Sequence, residues 1–207
     1  MNYKLVVFDF DGTLADSMNC FLWAFRQVAS RHGFRSVEDA EVEALRGFSN
    51  KTLMRHLGIP GWKVPFIATD MRKLMLSRVA EIQLFPGIPD MLRALHERGV
   101  RIAIVSSNSV ETIRAVLGPG NVAYIDHFDC GTSLFGKNAK LKNLLRTGNL
   151  TPKQTLFVGD EIRDYEASKA TFIPFVGVAW GYTRPDVLAQ NSTLPLLQKP
   201  EDLLSLV

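Results

Sequence analysis

The chain has 207 residues, 46% of them hydrophobic, and a mean hydropathy of +0.04. That describes a globular chain long enough for one well-cored domain or a domain carrying a sizeable insertion. The net charge is +3, with the 24 Lys and Arg scattered rather than massed into a stripe, which argues against a nucleic-acid partner. No apolar run approaches the roughly 20 residues that span a bilayer, so no membrane association is expected. The N-terminus lacks the apolar core of an export signal, because Asp9 and Asp11 interrupt it. Cys20 and Cys130 lie far apart and fit neither a zinc nor a redox spacing, so reduced thiols and a cytoplasmic location are expected.

The first element is the apolar run at 4–9, KLVVFD, which has the continuous hydrophobicity of a strand covered on both faces. It ends in Asp9 and Asp11, and Asp-Gly is a strong hairpin signal. No returning strand follows, however. Asp16-Ser17 resembles a helix N-cap, and Met18, Phe21, Leu22, Phe25 and Val28 then recur at helical spacing. Further strand-like runs lie at 100–105, 122–125, 155–158 and 175–179, with helical patterns at 89–98, 109–117, 138–147 and 161–170. This alternation predicts an α/β fold with a doubly wound, mainly parallel sheet.

About 90 residues separate the first two strands, far more than a crossover needs. Segments 17–32, 38–46, 50–57 and 64–82 each carry an apolar face, and Gly33 and Gly58 stand where helices would end. The expected organisation is an all-helical cap at 17–83 inserted into an α/β core of 1–16 and 84–207.

Ligands collect at the carboxyl ends of strands in an open parallel sheet. Those ends carry Asp9, then Ser106-Ser107-Asn108, then Gly159-Asp160-Glu161 with Asp164 following. Lys137 opens the helix at 138, although Lys140 and Lys142 follow closely. Several carboxylates in one crevice would raise each other's pKa unless a cation neutralised them. An all-oxygen set without His or Cys suits Mg²⁺, which takes few carboxylates and shares its shell with water and substrate phosphate. The site therefore calls for a hard cation and an anionic substrate.

Asp9-Phe10-Asp11-Gly12-Thr13, Ser106, Lys137 and Gly159-Asp160-Glu161-Ile162-Arg163-Asp164 resemble the four ordered motifs of the haloacid dehalogenase superfamily. Phe85-Pro86-Gly87 and Trp180-Gly181-Tyr182 are similar to the phosphoglycolate-phosphatase-like branch. The resemblance implies a Mg²⁺-dependent phosphatase acting on a small phosphorylated metabolite. In it Asp9 is the nucleophile, Asp11 the general acid and base, and Ser106 and Lys137 bind the phosphoryl group. It implies Mg²⁺ held by Asp9, the Asp11 carbonyl and Asp160, with Glu161 or Asp164 in the outer shell. Gly12, Thr13, Ser107, Asn108 and, from the cap, Arg46 are the candidate substrate-binding residues, although an arginine beside a turn is also an ordinary surface feature. A phosphomutase on the same scaffold and a non-catalytic binding or regulatory module are the competing expectations. One departure is Ala170-Thr171-Phe172, where the family pattern has a small Ala-Gly pair.

Overall fold

A computed structural model describes residues 3–131 and 136–207. The strands are β1 (Leu5–Phe8), β2 (Ala15–Asp16), β3 (Gln83–Leu84), β4 (Arg101–Val105), β5 (His127–Asp129), β6 (Thr155–Gly159) and β7 (Phe175–Gly177). The α-helices are α1 (Met18–His32), α2 (Val42–Leu45), α3 (Asn50–His56), α4 (Val64–Ser77), α5 (Ile88–Glu97), α6 (Val110–Val122), α7 (Gly136–Thr147), α8 (Ile162–Thr171) and α9 (Pro185–Ala189).

β1 is apolar at every position because it lies at the centre of a five-stranded sheet ordered β5-β4-β1-β6-β7, all parallel. Its pleat feeds two cores. Val6 and Phe8 join Ile102, Ile104, Leu156 and Val158 on one face, where Leu92 and Leu95 of α5 and Ile113 of α6 pack. Leu5 and Val7 join Ala103, Val105 and Phe157 on the other, against Leu141 and Leu144 of α7 and Ala167 of α8. Helices on both faces of a parallel sheet make the expected doubly wound fold.

One predicted strand is corrected. Residues 122–125 are not a strand: they close α6 and the turn after it, and the edge strand is β5, His-Phe-Asp, paired to β4 through Ala103↔His127 and Val105↔Asp129. Its half-exposed residues lack the apolar run of a central strand, whereas Val122, Tyr124 and Ile125 are apolar because they pack against the core cluster.

Between β2 and β3 the chain is helical. α1 buries Ala24, Phe25, Val28 and Ala29, and α4 contributes Ile67, Met71 and Met75 to the same core cluster. Each Phe, Val, Ile or Met side chain among these contributes about 1.5–3 kcal/mol when fully buried. α1 stops at Gly33, whose φ of 68° lets its N–H return to the Ala29 carbonyl at 3.0 Å. The antiparallel pair β2–β3, with Ala15 opposite Leu84 and Asp16 opposite Gln83, holds the two ends of this helical segment together.

Candidate active site

Parallel strands deliver their carboxyl ends to one edge, and the polar groups gather there. Asp9 follows β1 directly and is 2% exposed, its N–H donating to the Val158 carbonyl of β6 at 2.9 Å. Lys137, in the first turn of α7, places Nζ 2.6 Å from Asp9 Oδ2 and also bonds Asp164 Oδ1. Burial alone would lower the pKa of this ammonium group, but the charges of Asp164 and Asp9 outweigh it and hold the pKa above its usual value. Lys137 is therefore cationic.

Asp160, fully buried at the end of β6, accepts from Thr13 Oγ1 at 2.7 Å and from the Tyr182 N–H at 2.8 Å. Space around it exists only because two glycines flank it. A Cβ on Gly12, whose φ is +76°, would stand 2.3 Å from Asp160 Oδ2, and a Cβ on Gly181 would stand 2.1 Å from Asp160 Cβ. Asp164 is equally buried, accepts from the Glu161 N–H at 3.2 Å and rests against Gly159.

Carboxylate oxygens of Asp9, Asp160 and Asp164 lie within 4.8 Å of one another. Burial first, then the charges of Glu161, Asp9 and Asp164, pushes the Asp160 carboxyl well above the ordinary carboxylate range. Burial likewise raises Asp164 to about 6, against the lowering effect of Lys137. With Glu161 nearby, these carboxylates outnumber the neighbouring cations, Lys137 and Arg163, and such a crowded, buried, all-oxygen set fits a small hard cation. Glu161 stands apart from that trio. Its Oε2 is buried and accepts no hydrogen bond among the described residues, although the Arg163 guanidinium lies against it.

Asp11 has a different setting. Its carboxylate accepts from Ser17 Oγ at 2.8 Å and from Asn108 Nδ2 at 3.0 Å. Burial and then the charge of Asp9 raise its pKa to about 6, although those two hydrogen bonds oppose the shift. A carboxyl held there can carry or release a proton near neutrality. Ser106, 1% exposed, accepts the Asn108 N–H on Oγ at 3.1 Å, which leaves its hydroxyl proton to donate. Ser107 is exposed.

Two candidate residues have their polar atoms engaged within the protein. Arg46 donates from Nε to the Tyr182 carbonyl and from Nη2 to the Gly181 carbonyl, both at 3.0 Å, and from Nη1 to Glu43 at 2.7 Å. It thereby ties α2 to the loop after β7. Lys140, unlike Lys137, bonds neither Asp9 nor Asp164: its Nζ donates to the carbonyls of Ser106, Asp129 and Gly131 at 3.1, 3.0 and 2.8 Å and lies 3.3 Å from Asp129 Oδ1.

Sequence reasoning missed three contributors. Ser17 sits at the N-cap of α1 but makes no capping bond with its side chain. Its hydroxyl instead joins Asp11 to Tyr182 Oη, 2.7 Å away. Gly181 makes room for Asp160, and Trp180 Nε1 donates to the Thr13 carbonyl at 3.1 Å. Trp180-Gly181-Tyr182 was visible as a pattern, but nothing in it announced contact with residues 160 or 17.

A carboxylate pair after the first strand, a serine after β4, a lysine opening α7 and carboxylates after β6 together define a hydrolase class. The family model for haloacid dehalogenase-like hydrolases matches residues 6–178, and the chain belongs to that family. The phosphoglycolate phosphatase of Synechococcus elongatus is 30% identical over 205 residues, covering 99% of this chain and 97% of that one. A protein of Mycobacterium tuberculosis named tyrosine-protein kinase PtkA is 29% identical over 92% of this chain and 67% of its own length. Among solved structures, a putative phosphoglycolate phosphatase from Lactobacillus plantarum superposes with a TM-score of 0.83 at 24% identity, each chain fully covered, which speaks to the fold.

Proposed function

We propose that the protein is a Mg²⁺-dependent phosphatase that hydrolyses a small phosphate monoester through a phospho-Asp9 intermediate. We further propose that residues 17–83 act as its cap. The observation that carries the reading is the division of labour between two carboxyl groups. Asp9 is buried against a charged lysine, while Asp11, two residues on, is held by neutral donors with a pKa of about 6. Environments that separate two neighbouring carboxyl groups in this way suit one to nucleophilic attack and the other to proton transfer.

In the first step an Asp9 oxygen bonds to phosphorus and the bond to the leaving oxygen breaks. Asp11, protonated, gives its proton to that oxygen. In the second step water attacks phosphorus while the Asp11 carboxylate takes a proton from that water, which restores its acid form. The bond between phosphorus and Asp9 then breaks, and inorganic phosphate leaves. Ser106 and Lys137 offer a hydroxyl and an ammonium group to the phosphoryl oxygens as charge spreads over them. Asn108 and Ser17 hold the Asp11 carboxyl in place through both steps. Asp9, Asp160 and the Asp11 carbonyl, backed by Asp164 or Glu161, would hold Mg²⁺, which when bound supplies positive charge to the carboxylates and the phosphoryl group.

The test is phosphate release from p-nitrophenyl phosphate with Mg²⁺ and with chelator. Release that requires Mg²⁺, and is lost in an Asp9→Asn variant with an unchanged melting temperature, is the expected result. Equal release by wild type and Asp9→Asn, or no release with Mg²⁺, refutes the proposal.

A further inference from the structure

A cavity of about 560 Å³ lies between the helical segment and the sheet edge. Its volume falls within the roughly 300–1,000 Å³ that takes drug-sized ligands. On one side it is walled by Phe21, Leu22, Phe48, Leu53 and Met54, and on the other it reaches Glu161 and Tyr182. Tyr182 bonds Ser17, which bonds Asp11, so the cavity wall is linked through two hydrogen bonds to the group that would protonate a leaving oxygen.

The relatives named for phosphoglycolate raise the question of whether this cavity fits a small carboxylate. Such a group needs a free cation or donors to replace its water. Three cations line the cavity. Arg46 is bonded to two carbonyls and Glu43, and Arg163 lies against Glu161. The third, Lys51, is exposed, where its charge is screened and its ammonium hydrated. A two-carbon acid would also leave most of the space to water facing apolar walls, which is unfavourable.

We propose that the ester group of the natural substrate is an apolar alkyl or aryl body of medium size, seated in this cavity, rather than a short carboxylic acid. The proposal rests on the phosphatase reading for its phosphoryl end and on the cavity walls for the rest. Apolar area removed from water then sets selectivity, each methylene strengthening binding about fourfold until the cavity is full.

The experiment is a chain-length series from ethyl to octyl. The alkyl phosphates all leave as primary alkoxides of similar basicity, so kcat/KM with Mg²⁺ reads the cavity rather than the chemistry. The matching alkylphosphonates, which are not hydrolysed, give Kd by calorimetry. Both series should rise about fourfold per methylene over the first several added, and 2-phosphoglycolate should fall below butyl phosphate. Met54→Lys should flatten the octyl-to-ethyl ratio; if that variant does not fold, the wild-type series decides alone. A flat series, or 2-phosphoglycolate preferred to octyl phosphate, overturns the proposal while leaving the phosphatase reading intact. No hydrolysis of any ester defeats the phosphatase reading, and the phosphonate series still decides the cavity.

Discussion

Gly181→Ala is a one-methyl change whose consequences follow directly from the packing of Asp160. The new Cβ would lie 2.1 Å from Asp160 Cβ and 2.8 Å from its Cγ and Oδ2, well inside van der Waals contact. Asp160 cannot move aside, because its far side meets Gly12 and both its carboxylate oxygens are engaged, by Thr13 and by the Tyr182 N–H. No positive φ is involved at Gly181, so the cost is steric rather than conformational. Overpacking of this kind costs about 1–3 kcal/mol. Loosening either hydrogen bond to this buried carboxyl adds about 0.5–1.5 kcal/mol, so a total near 3 kcal/mol is expected. For a chain of this size that lowers Tm by about 6–12 °C. If Asp160 holds Mg²⁺, its displacement should also weaken metal binding by about 10–100-fold. Chemical denaturation without Mg²⁺ reads the first effect, and the Mg²⁺ concentration for half-maximal activity reads the second. Wild-type values for both would refute the account of how Asp160 is held.

Asp11→Asn should slow hydrolysis of an alkyl phosphate by about 10²–10⁴-fold, with a much smaller effect on formation of the phospho-enzyme from a nitrophenyl ester, whose leaving group needs no proton; rapid-mix kinetics on both substrates checks this, and an equal loss contradicts it. Lys137→Met should lower kcat by about 10²–10³-fold and, by leaving Asp9 and Asp164 buried without their cation, cost about 3–5 kcal/mol in denaturant titration. Lys140→Met should spare kcat by comparison but cost about 2–4 kcal/mol in denaturant titration, because its buried ammonium group bonds three backbone carbonyls and lies 3.3 Å from Asp129 Oδ1. Phe172 ends α8 in the left-handed conformation with φ 58° and is 84% exposed, so Phe172→Gly should raise Tm by about 1–4 °C in a thermal melt.

What could be read from the sequence followed from how strongly each residue's environment constrains its type. β1, β4 and β6 sit inside the sheet, are apolar along most of their length, and were therefore visible, as were the polar residues at their carboxyl ends. β5 is a sheet edge of three half-exposed residues, His127, Phe128 and Asp129, so its signal was weak, and the apolar stretch preceding it drew the assignment instead. α6 shows a related ambiguity. Gly118 breaks the helix at φ 70° and ψ 163°, as its glycine suggested, but the chain resumes a helical turn at Pro119. Lys137 and Lys140 of α7 could not be told apart by type, since only the approach of the helix to β5 decides that Lys140 meets carbonyls and Lys137 meets Asp9. The bond between Ser17 and Tyr182 joins residues 165 positions apart, and no local pattern encodes it. Phe172, which replaces the small residue of the family pattern, keeps the left-handed turn that a glycine would have taken.

The central claim is that phosphorus passes through Asp9. Acid-quenching the enzyme during turnover of p-nitrophenyl phosphate, reducing it with borohydride and sequencing the N-terminal peptide by tandem mass spectrometry tests this directly. The account predicts that an acyl phosphate at position 9 is reduced, leaving homoserine there only in samples quenched with both substrate and Mg²⁺. Turnover with Asp9 unmodified, or reduction at Asp11 or Asp160 instead, would contradict it.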